Sequence, residues 1–267
     1  MTRLAANLST LFTDLPFPDR YAAAAAAGFR AVECQFPYGV PAEVLREQLD
    51  RHDLVQVLLN SPPGNAAAGE RGLAGLPGRV ADFRASFGQA LHYARTLRCP
   101  RIHVMAGLRP EGADVSACRD VFVDNLAWAA GLCAGEGISL MVEPINTRVD
   151  VPGYLIDTTA VAVDCIRRAS QPNIRLQYDV YHMQIMEGDL ARSIERLLPV
   201  IGHIQIADNP GRHEPGTGEI RFPWLLARLD VLGYDGYVGC EYNPTGTTTA
   251  GLAWAQPWLG IEGGERR

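Results

Sequence analysis

The stretch "YAAAAAAGFRAVE", Tyr21 to Glu33, decides how the rest of the chain is read. Its alanine run has the highest intrinsic helix propensity available. Gly28 follows where a helix commonly closes on a left-handed residue, and the next residues turn apolar and β-branched. A helix, a glycine cap and the start of a strand in so short a span is the repeat unit of an α/β protein.

Working outward, apolar β-rich runs recur at Leu4–Phe12, Ala31–Phe36, Leu54–Asn60, Arg101–Ala106, Ser139–Asn146, Ile174–His182, Ile201–Asp208 and Gly236–Tyr242. Segments of helical periodicity lie between them, at Phe17–Ala27, Pro41–Arg51, Val80–Leu97, Val115–Ala134, Thr158–Ala169, Leu190–Leu198 and Phe222–Leu232, with an eighth at Thr247–Trp258. Asp157 reads as an N-cap of the fifth helix, and Gly233 closes the seventh. Strand and helix alternate with no break in composition, which predicts a single (β/α)8 TIM barrel over residues 1–259 with its active site at the C-terminal mouth. The last residues, 260–267, are expected to be a disordered tail.

The chain has 267 residues, 47% hydrophobic, a size that one such barrel fills. No run is long and apolar enough to span a bilayer and no leader is evident, so a cytoplasmic protein with no membrane partner is expected. Six scattered cysteines without CxxC spacing read as reduced thiols. The net charge of −6 and the absence of a basic cluster argue against nucleic acid. All 24 basic residues are arginine. Without lysine, Schiff-base chemistry, pyridoxal phosphate attachment and a P-loop are excluded.

Two connectors stand out. Ser61–Pro77, "SPPGNAAAGERGLAGLP", would hang over the mouth as a mobile lid carrying Glu70 and Arg71. Asn209–Glu219, "NPGRHEPGTGE", is glycine-rich like a phosphate loop but lacks the lysine and the Ser/Thr.

The strands end in polar groups. In "SLMVEPIN", Ser139–Asn146, side-chain alternation aligns Glu143 with Met141 and Ile145. Asp179, Gln205 and Glu241 occupy the ends of the next three strands. Three carboxylates at one level repel and resist desolvation, and a divalent cation resolves that conflict. The oxygen-only donor set Glu143, Asp179, Gln205 and Glu241 favours Mg²⁺ or Mn²⁺, with no organic cofactor. His182, read as ending its strand, is a candidate hydrogen-bond donor to a substrate oxygen, whereas His203 reads as a core histidine.

Several motifs together carry a family resemblance: "LAANLSTLF" (Leu4–Phe12), "AAGERG" (Ala67–Gly72), "EPIN", "YDVYHMQIMEG" (Tyr178–Gly188), "GHIQIADNPGRHEPGTGEI" (Gly202–Ile220) and "GCEYNP" (Gly239–Pro244). In these the chain resembles hydroxypyruvate isomerase and its relatives, within the xylose-isomerase-like barrel superfamily. The resemblance implies a metal held by Glu143, Asp179, Gln205 and Glu241, with Glu143 and Glu241 as the proton-transfer pair. It implies isomerisation of hydroxypyruvate to tartronate semialdehyde through an enediolate, or the same reaction on 2-oxo-tetronate, which the motifs do not separate. Ketose 3-epimerases usually carry histidine where Gln205 stands, and a metal-dependent nuclease would need a His-rich site, so both are lesser alternatives beside a non-catalytic sugar-acid-binding barrel. A small 2-oxo acid needs a cation for its carboxylate. Without lysine, Arg71 and Arg212 are the candidates, with Asn7 in the opening motif a further substrate contact. Whether the chain forms a homo-oligomer is left open.

Overall fold

The computed structural model describes residues 1–259. The eight strands are β1 (Arg3–Asn7), β2 (Ala31–Cys34), β3 (Val55–Asn60), β4 (Arg101–His103), β5 (Ser139–Val142), β6 (Ile174–Asp179), β7 (Ile201–Ile206) and β8 (Tyr237–Cys240). All pair in parallel, and β1 closes on β8 to complete the barrel. The first five connections carry α1 (Asp19–Ala26), α2 (Ala42–Arg51), α3 (Val80–Leu97), α4 (Val115–Leu132) and α5 (Thr159–Ala169). After β6 come α6 (Val180–Met186) and α7 (Leu190–Leu197), and after β7 comes α8 (Phe222–Val231). A 3₁₀ stretch, Ala250–Ala255, and the short α9 (Gln256–Leu259) seal the ring in place of the single helix expected at Thr247–Trp258. The expected tail at 260–267 lies outside the described residues.

The opening stretch folds as its sequence dictates. Tyr21 and Ala24 pack inward from α1, Gly28 takes φ +93°, and Phe29 enters the core fully buried. All six cysteines are free and buried. No helix among the described residues is long and apolar enough to cross a membrane.

Three local expectations are corrected. The fifth helix is capped by Thr158, whose hydroxyl accepts from the Val161 amide, and not by Asp157. The first strand stops at Asn7, where the chain coils back to bond Leu11 N to Asn7 O. The sixth strand ends at Asp179 instead of His182, because the Asp179 side chain caps α6 by accepting from the amides of Tyr181 and His182. His182 therefore sits on the first turn of a helix.

The long connector after β3 is tied down over its second half. Gly72 forms a β-bridge to Ala106, Gly75 N donates to Ala106 O (2.7 Å), and Asn125 Nδ2 holds Ala74 O (2.8 Å). The part before Gly72 overhangs the mouth, held by Gly72 N donating to Pro63 O (2.9 Å) and by Glu70 accepting from Asn65 N and Arg79.

Candidate active site

Alternation along the strands lines the barrel with polar groups at two levels. At the C-terminal level Asn7, Glu33, Asp179, Gln205, Glu143 and Glu241 are all buried. Register brings them together: Asn7 pairs with Glu33, and Asp179 with Gln205, while Glu143 and Glu241 stand one residue beyond their strands. A cavity of about 320 Å³ opens above them, lined among others by Arg71, His103, Glu143, His182, Arg212 and Glu241.

Glu143 and Asp179 form a cluster with His182 in which one donor atom of each lies within 4.8 Å of the others. Asp179 Oδ2 is buried there without a partner. Glu241 stands apart and is more heavily engaged. Its Oε1 accepts from Gln35 (2.9 Å) and Arg212 (2.8 Å), and its Oε2 from Asn7 (3.0 Å) and Gln205 (2.6 Å).

Burial raises all three carboxyl groups: Asp179 to about 6, Glu241 to about 7, and Glu143 well above its ordinary range, with the charges of Glu241 and Asp179 adding to the effect. Arg212 opposes this at all three while pairing with Glu241 and Asp150 and lying over the Tyr181 ring. Burial also pushes His103, 3.2 Å from Glu143, down to about 3, so it faces that carboxylate as a neutral ring. A buried, mutually repelling acidic group with an unpartnered oxygen is the environment a divalent cation stabilises, and the donor set fits one.

His182 is set by its neighbours. Asn146 Oδ1 accepts from the amides of Val149 and Asp150, which turns Asn146 Nδ2 toward His182 Nδ1 at 2.7 Å. Nδ1 must then accept, so the ring proton sits on Nε2, the atom facing Glu143 (3.8 Å) and Asp179 (3.7 Å). In this tautomer His182 is a donor to the site and not a ligand.

The other expected residues fall as follows. Gln205 lies among the carboxylates but shows them its nitrogen, while Oε1 accepts from Gln177 (2.5 Å). Ligation through oxygen requires its terminal amide to turn over, a rotation about a soft torsion. Asn7 lies behind Glu241, not on the cavity wall, with Nδ2 shared between Glu33 and Glu241. Arg71 reaches the cavity and, among the described residues, its side chain bonds only the Glu70 carbonyl. Arg212 lines it too, yet is already engaged by Glu241 and Asp150.

Residues 21–258 match the family described as xylose isomerase-like TIM barrel. The chain belongs to this family. Within the xylose isomerase-like barrels it is 51% identical over 260 residues to a 2-oxo-tetronate isomerase of Cupriavidus necator, covering 97% of this chain and all of that one. It is 43% identical over 258 residues to the hydroxypyruvate isomerase of Escherichia coli K12, again covering 97% of this chain and all of that one. A crystal structure described as an AP endonuclease, family 2, from Brucella melitensis superposes with a TM-score of 0.94 at 49% identity, over 97% of this chain and 99% of that one.

Two residues of this site escape the sequence reading. Glu33, fully buried on β2, accepts from Asn7 (3.0 Å), His203 (2.6 Å) and Gln205 (2.7 Å), and so ties β1, β2 and β7 together. Gly239 makes room for it, since a Cβ there would fall on the Glu33 carboxylate. His103 is the other. Each is a polar residue set inside an otherwise apolar stretch, in "AVEC" and "IHVMA".

Proposed function

We propose that this chain is a metal-dependent isomerase of short 2-oxo acids, interconverting hydroxypyruvate and tartronate semialdehyde through an enediolate. The observation that carries this reading is the pair Glu143 and Glu241 facing one cavity from β5 and β8, both with raised affinity for a proton. A carboxyl group held near neutrality, as Glu241 is at about 7, both takes and returns a proton at working pH.

One of the pair removes a proton from C3, and the freed electron pair forms the C2–C3 double bond as charge moves onto the C2 oxygen. The other delivers a proton to C2, and the C3 hydroxyl proton passes to the C2 oxygen, so that C3 becomes the aldehyde and C2 carries the hydroxyl. His182 Nε2–H is placed to donate to a substrate oxygen where that charge develops. Arg71, free of carboxylate partners, anchors the substrate carboxylate, and Arg212 fixes Glu241. Glu143, Asp179 and Glu241 would hold a Mg²⁺ or Mn²⁺ ion, with Gln205 completing the set through Oε1. The ion supplies charge stabilisation for the developing oxyanion.

The same site suits 2-oxo-tetronate, a reading favoured by the Cupriavidus relative. It is less suited to ketose epimerisation, for Gln205 stands in place of histidine, and to phosphodiester cleavage, for the cavity wall is acidic. Hydroxypyruvate, 2-oxo-tetronate and a free ketose, each followed by NMR in deuterated water with Mg²⁺ or Mn²⁺, test the proposal. Deuterium should enter the carbon skeleton of an oxo acid, and turnover of the ketose alone would overturn it.

A further inference from the structure

The strands that aim His103 and Asp179 at the mouth carry arginines at their other end. Arg101 at the start of β4 and Arg175 near the start of β6 share an inner face with His103 and with Gln177 and Asp179. They line a second cavity of about 490 Å³ at the barrel floor, together with Ser139, Tyr234 and Asp235. No residue is common to the linings of the floor and mouth cavities.

Both guanidinium groups are held by main-chain carbonyls. Arg101 Nε donates to Gly202 O (2.8 Å) and its NH1 to Val57 O (3.4 Å). Arg175 NH2 donates to Pro199 O (3.0 Å) and Ile201 O (3.3 Å), while its Nε is buried without a partner. Among the described residues neither forms an ion pair, although acidic residues outnumber basic ones in this chain. Gly202 leaves room for the Arg175 stem, because a Cβ there would meet Arg175 Cβ at 2.6 Å and Met141 Sδ at 3.0 Å. Two oriented cations with free N–H groups around a polar cavity match an oxyanion that offers several acceptors. Among the described residues Asp235, exposed in the lining, supplies the only carboxylate there and accepts no hydrogen bond from either arginine.

We propose that the barrel floor is a binding site for a small multivalent oxyanion of the phosphate class, free or as the phosphoryl group of a small metabolite, ligated by Arg101 and Arg175. The site is independent of the isomerase reading and stands or falls without it.

The test is calorimetric titration of the intact chain with inorganic sulfate and phosphate at constant ionic strength, with the melting temperature read in parallel. Wild type should bind one anion saturably. Arg101→Gln and Arg175→Gln should each weaken binding by about tenfold or more, the scale of a charge-assisted hydrogen bond, whereas Arg71→Met at the mouth should leave it intact. A glycerol-phosphate arm separates the two sources, since tighter binding than inorganic phosphate marks a metabolite. Absence of saturable binding, or binding lost in Arg71→Met and kept in both floor variants, would overturn the proposal. Should the floor variants fail to fold, anomalous scattering from wild-type crystals soaked in selenate decides: a peak between Arg101 and Arg175 supports the site, and a peak confined to the mouth or no peak refutes it.

Discussion

Asn146 Nδ2 stands 2.7 Å from His182 Nδ1 and fixes the proton of that ring on Nε2. Asn146→Asp would offer an acceptor instead and move the proton to Nδ1, leaving a lone pair aimed at Glu143 and Asp179. Turnover should fall by about 10²-fold, the low end of what general acid–base groups contribute. Nitrogen NMR of the His182 ring checks the cause: an unchanged tautomer in the variant would refute it.

Glu143→Gln and Glu241→Gln keep the shape of each side chain and remove its basicity. Each should lower kcat by about 10²–10⁴-fold. Activity above a tenth of wild type in both would remove them from the proton-transfer step.

The acidic cluster sets a pH dependence of stability. Asp179 and Glu241 bind protons more tightly folded, at about 6 and about 7, than their ordinary values of 3.8 and 4.5. Their stabilising contribution is therefore full below the ordinary values and is lost as pH rises through the folded ones. The metal-free protein should melt progressively lower from about pH 4 to about pH 7, the span between the ordinary and the folded values of these two groups. Added Mn²⁺ should restore the melting temperature most at the alkaline end, where the ligands are already deprotonated. A metal effect independent of pH would contradict this coupling.

Gly239 leaves the space that the Glu33 carboxylate occupies. Gly239→Ala should cost about 1–3 kcal/mol through overpacking and disturb the bonds Glu33 makes to Asn7 and Gln205. Combining it with Glu33→Ala should cost less than the sum of the two, and a strictly additive result in denaturant melts would show that they do not share the space.

Arg71 has no carboxylate partner and reaches the mouth cavity. Arg71→Met should raise KM by about tenfold with little change in kcat, the signature of binding shared by ground and transition states. An unchanged KM would assign the anchor elsewhere.

The barrel and its mouth were largely legible because β-alternation and strand ends are local signals. Glu143, Asp179, Gln205 and Glu241 each interrupt an apolar run, and the structure brings them to one level. Glu33 and His103 also interrupt apolar stretches, but Glu33 lies on β2, far in sequence from the strands that carry the other carboxylates, and His103 is not an acidic residue. The helix α6 was hidden because "DVYHM" is rich in β-formers. Its start depends on Asp179 capping it, and one oxygen of that side chain does so while the other faces the site. The direction of the Gln205 amide was unreadable, since it depends on Glu33 and Gln177 from other strands.

The tie between Gly72 and Ala106 has a mechanical consequence. A connector pinned at its midpoint cannot swing as one flap. Its first half folds back on that anchor, since Gly72 N donates to Pro63 O and the Glu70 carboxylate accepts from Asn65 N and Arg79, with Arg71 between them. The Arg71 backbone is therefore set before a substrate arrives, and its side chain is the part that adjusts to a carboxylate at the rim.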